Sequence, residues 1–134
     1  MNLDLGTIKM KETSNSFLDY KERIVFVRIK ENAEITIKSM QEQYEEQTKL
    51  VGNDTYTVLV DGTKNSNVTI EAREFMSKHN PSKRIATAIL TNNNLATNII
   101  GNFYLKVHKP KNPTKLFSNE TDAIEWLKTK LNSQ

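Results

Sequence analysis

A chain of 134 residues, 37% hydrophobic and 26% charged, has the size and make-up of one globular domain, and its four glycines and three prolines exclude a long low-complexity linker. With no cysteine it can hold neither a disulfide, a thiol nucleophile nor a thiolate zinc site, which suits a reducing cytoplasm. A net charge of +3 spread along the sequence, with 7% aromatic residues, argues against nucleic acid as a partner, and no leader or bilayer-length apolar run marks export or membrane insertion.

The first clear element is Ile24-Val25-Phe26-Val27-Arg28-Ile29, a β-branched and aromatic run too short for a helix, which predicts a strand. The charged residues 19–23 before it predict a turn, with residues 7–11 or 16–20 as an antiparallel partner at the sheet edge. From Thr36 the period changes: Ile37, Met40, Tyr44, Thr48 and Val51 recur at spacings of three and four, predicting an amphipathic helix. Thr36 suits its N-cap, and Gly52-Asn53 suits a left-handed C-terminal closure.

Tyr56-Thr57-Val58-Leu59-Val60 predicts a central strand covered on both faces and ending at Asp61-Gly62. Residues 63–67 read as a loop into a second helix carrying Val68, Ala72, Phe75, Met76 and His79, capped by Asn67 or Thr69 and stopped by Asn80-Pro81. Arg84 to Leu90 predicts another strand. Leu95, Ile99, Ile100, Phe103 and Val107 make a third helical stripe, in which Gly101 implies a close packing contact. Thr114-Lys115-Leu116-Phe117 predicts a short strand, and Ser118 or Asn119 caps a last helix with Ala123, Ile124, Trp126, Leu127 and Leu131 on its apolar side. Strands alternating with amphipathic helices predict an α/β fold: one mixed, mostly parallel sheet of about four or five strands with about four helices. The expected core includes Val58, Leu59, Val60, Ile85, Ala86, Ile89, Phe103 and Leu127.

Several of these segments resemble a known family: Val58-Leu59-Val60-Asp61, Val68-Thr69-Ile70-Glu71-Ala72-Arg73, Ile100-Gly101-Asn102-Phe103-Tyr104, Lys109-Pro110, and Pro113-Thr114-Lys115-Leu116-Phe117 leading to Ala123-Ile124-Glu125-Trp126-Leu127. Together they resemble small bacterial SpoIIAA-like proteins of the STAS (sulfate transporter and anti-sigma factor antagonist) fold, also compared with Sec14-type lipid-binding domains. The resemblance covers nearly the whole chain from about Phe17, and it implies that residues 1–134 form a single SpoIIAA-like domain. It implies a non-enzymatic regulatory or protein-interaction module whose partner is another protein, with a homodimer compatible. The alternative is a carrier of a lipid or other apolar ligand, or a module on an anionic membrane surface. In the anti-sigma antagonists an Asp-Ser-Ser-Gly-type motif before the second helix carries the phosphorylated serine. The matching Asn65-Ser66-Asn67-Val68-Thr69 lacks the aspartate and the glycine, leaving Ser66 and Thr69 as candidate phosphoacceptors.

No Ser, His and acid set falls on strand ends, no glycine-rich phosphate loop follows a strand, and the two histidines, His79 and His108, have no ligand-spaced acids, so neither a catalytic set, a metal site nor a cofactor is expected. Asp61 lies where parallel sheets gather ligands, although Asp-Gly also forms turns. Lys106, His108, Lys109, Lys111 and Lys115 cluster around two prolines as a candidate anion-binding segment; the same pattern suits a solvated helix end. Trp126 reads as a core anchor.

Overall fold

The computed structural model describes residues 9–79, 81–92 and 112–134. Among them the elements run β1 (Lys9–Glu12), β2 (Ser16–Lys21), β3 (Ile24–Ile29), β4 (Ala33–Ile35), α1 (Ile37–Val51), β5 (Tyr56–Asp61), β6 (Ser66–Val68), α2 (Ile70–Lys78), β7 (Arg84–Leu90), β8 (Thr114–Phe117) and α3 (Glu120–Asn132). Six strands, rather than the expected four or five, form the main sheet in the order β1-β2-β3-β5-β7-β8, and β4 pairs with β6 in a second, two-stranded sheet. The N-terminal pairings β1–β2 and β2–β3 are antiparallel; β3–β5, β5–β7 and β7–β8 are parallel. The third predicted helical stripe, with Gly101 and the core candidate Phe103, lies outside the described residues.

Both proposed edge segments form strands, β2 pairing with β3 and β1 with β2, and Asp19, Tyr20 and Lys21 belong to β2 rather than to a turn. The reversal is confined to Glu22 and Arg23, both at positive φ (53° and 61°), as a two-residue hairpin matched to strand twist requires. A capping box starts α1: Thr36 Oγ1 accepts the Ser39 amide at 3.2 Å, and Ser39 Oγ accepts the Thr36 amide at 2.9 Å. Gly52 ends it at φ 59°, but its ψ of −119° lies outside the left-handed helical region expected there. The buried face of α1 is Met40, Gln43, Gln47, Leu50 and Val51; Thr48 and Ile37, predicted on the apolar stripe, are exposed.

Alternation along the central strands divides the core. Val25, Val27, Ile29, Tyr56 and Val58 pack beneath α1 and α2, with Met40, Leu50, Val51 and Ala72. Ile24, Leu59, Ala86, Ala88 and Leu90 pack beneath α3, whose Ala123 and Leu127 are fully buried. Trp126 is half-buried at the margin of this second core, its ring 5.6 Å from Phe117. Val60, Ile85 and Ile89 are half-buried, not core residues as their apolar runs suggested.

Residues 63–67 are not all loop, and Val68 does not begin a helix. Ser66, Asn67 and Val68 pair in parallel with Ala33, Glu34 and Ile35, a three-residue ladder too short to show a period in sequence. The helix starts two residues later, with Thr69 as N-cap accepting the Ala72 amide at 3.1 Å. Asn119, not Ser118, caps α3.

Candidate functional site

A register irregularity in the β5–β7 ladder sets up the site. Tyr56 pairs with Arg84 and Thr57 with Ala86, so Ile85 is an extra residue with no partner across the strands. Strict alternation from Thr87 and Ile89 would place Arg84 on the opposite face of the sheet; the extra residue turns it onto theirs, the re-aiming a β-bulge provides. Arg84 therefore lies under α1 and is only 8% exposed.

On this face, between the sheet and α1 and α2, is a cavity of about 150 Å³. Among the described residues its walls are mostly aliphatic: Ile29, Val60 and Ile89 from the sheet, Ile35 and Val68 from the small sheet, and Met40 and Met76 from the helices. Polar groups enter from Gln43, Ser66, Arg73, Arg84 and Thr87, and Tyr44 adds an aromatic wall. This cavity is why Val60 and Ile89 keep part of their surface uncovered.

Arg84 donates from Nη2 to Gln47 Oε1 at 2.7 Å, and its guanidinium lies 5.1 Å from the Tyr44 ring centroid. Gln47 donates to Gln43 Oε1 at 3.0 Å and accepts from the Tyr56 hydroxyl at 3.4 Å. Burial pushes the Tyr44 and Tyr56 hydroxyls above their ordinary range, and the Arg84 charge pulls both part of the way back. Every one of these partners is neutral. Arg84 Nε is buried with no hydrogen-bond acceptor, and no carboxylate lies at ion-pair distance from the guanidinium among the described residues.

Of the residues singled out in sequence, Ser66 lines this cavity from β6, and Thr69, three residues on, spends its hydroxyl on the α2 cap. Asp61 makes the predicted turn, with Oδ1 accepting the Thr63 amide at 3.0 Å and its hydroxyl at 2.6 Å; Oδ2 also meets Arg28 at 3.4 Å. His79 ends α2, its ring stacked on Phe75 at 4.4 Å. Lys115 is exposed on β8 with its ammonium 5.3 Å from the Phe117 ring, while Lys106, His108, Lys109 and Lys111 lie outside the described residues. Among the described residues no three His, Asp or Glu side chains are grouped to hold a metal, and no helix is long and apolar enough to cross a membrane.

Sequence reading passed over Arg84 and the glutamines Gln43 and Gln47. The available signal was an arginine opening an otherwise apolar strand, and two glutamines four apart on a helix that offers the sheet few large apolar residues.

A second surface lies on the other side of the sheet. The helix α3 packs over β5, β7 and β8, and among the described residues no helix packs over β1 and β2 on that face. The registers Met10↔Asp19↔Phe26 and Glu12↔Phe17↔Arg28 put Met10 and Phe26 on either side of Asp19 in one row and Phe17 in the next row, diagonal to both. Met10 is 69% and Phe17 49% exposed, and Phe26 is half-buried. The Lys30 ammonium sits 4.9 Å from the Phe17 ring.

Residues 18–131 match a family described as a domain of unknown function, DUF7793. The chain is also similar to an uncharacterised protein of the DUF3478 family with a SpoIIAA-like fold from Shewanella loihica PV-4. That solved structure shares 16% identity with a TM-score of 0.50 over 90% of this chain and 91% of the other. At that identity the likeness speaks for the SpoIIAA-like fold alone. No curated protein matches the chain.

Proposed function

We propose that this chain, which belongs to the DUF7793 family, is a non-enzymatic regulatory module that acts by binding another protein through the open face of β1, β2 and β3. The observation that carries the reading is the exposure of Met10 and Phe17, with Phe26 diagonal to Phe17, on the part of the sheet face that lies beyond α3. Contiguous apolar side chains kept in water cost free energy that a partner's surface recovers, which is why such patches mark interfaces. The partner is a protein presenting an apolar anchor to the Phe17 ring, with polar groups around it for Lys30, Asp19 and Glu12.

The test is a photo-crosslinking residue placed at position 17, with a control at the exposed Glu125 on α3, in cells of the native host. The expected result is one discrete protein adduct from position 17, lost when Met10→Lys is added to a chain with an unchanged circular dichroism spectrum. Adducts of equal yield from positions 17 and 125, or none from position 17, would remove the reading.

A further inference from the structure

We propose that the cavity between the main sheet and the helices α1 and α2 binds a small carboxylate whose apolar body is about the size of one aromatic ring. The Arg84 guanidinium carries a full charge at 8% exposure, and its hydrogen-bonding and ring neighbours, Gln47, Tyr44 and Tyr56, are neutral. A buried cation without an anion is costly, and a carboxylate in the cavity that Arg84 lines would supply the missing charge. None of the described cavity-lining residues is acidic, and residues 93–111 contain neither Asp nor Glu.

The rest of the ligand follows from the walls. Ile29, Ile35, Met40, Val60 and Ile89 can surround an apolar body. A cavity of about 150 Å³ holds a benzene-sized group and is much smaller than a phospholipid acyl chain needs. The site is distinct from the open face of β1–β3, being on the opposite side of the sheet, so protein binding and carboxylate binding stand or fall separately.

The experiment is an amide NMR titration of the whole chain with sodium benzoate, with benzyl alcohol as the neutral ligand of similar shape. Benzoate is expected to shift the amides of Val60, Gly62 and Thr87 and to bind about tenfold or more tighter than benzyl alcohol, the worth of a charge-assisted hydrogen bond. Arg84→Gln is expected to abolish that preference. Ile89→Phe, which fills the cavity and leaves the guanidinium in place, is expected to lose both ligands, and it keeps the proposal testable if Arg84→Gln fails to fold. Equal affinities in the native chain, shifts confined to surface lysines, or benzoate binding that survives Ile89→Phe would overturn the proposal.

Discussion

The Tyr20 hydroxyl donates to Asp54 Oδ2 at 2.7 Å, tying β2 to the loop that links α1 and β5. Burial first, and then this hydrogen bond and the carboxylate's charge, push the phenol well above its ordinary value near 10. Between the ordinary and the raised value, the folded chain holds a proton that the unfolded chain has released. Stability is therefore full below about pH 10 and falls as pH rises above it. Burial raises Tyr44 and Tyr56 in the same direction. Urea unfolding at pH 8, 10 and 11 is expected to show this decline, with a shallower one in Tyr20→Phe. At neutral pH that variant should lose about 0.5–1.5 kcal/mol, the worth of one hydrogen bond, since Asp54 remains hydrated.

Neighbouring residues of β5 should respond differently to truncation. Leu59 is fully buried under α3, so Leu59→Ala is expected to lose about 2–5 kcal/mol. Val60 borders an existing cavity, and Val60→Ala should lose less than about 2 kcal/mol. Equal losses in thermal or urea unfolding would contradict the different packing of the two faces.

Gly52 closes α1 at φ 59° and ψ −119°, a conformation that a Cβ penalises even though no atom lies within 4 Å of where it would sit. Gly52→Ala should therefore cost about 1–3 kcal/mol through the backbone alone. A neutral result would mean that the chain can close this helix another way.

Thr69 spends its hydroxyl on the α2 cap, so Thr69→Ala should cost about 1 kcal/mol and Thr69→Ser much less. If Ser66 or Thr69 is a phosphoacceptor as the SpoIIAA-like resemblance implies, native-host phosphopeptides should include one of them. Ser66→Asp should then change the adduct formed from position 17. No phosphopeptide and an unchanged adduct would retire both residues as a switch.

Much of the fold was legible because apolar period and capping chemistry are local. The runs of β3, β5 and β7, the Thr36 cap and the helix α3 all follow from residues within a few positions of one another. The three-residue strands β4 and β6 were not legible, because their pairing is set by which segments the larger sheet brings together. The candidate site was hidden for the same kind of reason. Composition says that Arg84 opens an apolar strand, but only the unpaired Ile85 decides which face its guanidinium takes, and register belongs to two strands at once. Likewise, Phe17 reads as an ordinary strand aromatic until α3 is seen to cover the other half of its face. The sequence by itself determined the longer strands, the helices α1 and α3 and the absence of a recognisable catalytic motif. The tertiary structure decided where a buried charge lacks an anion and where an apolar surface lacks a cover, because both depend on neighbours distant along the chain.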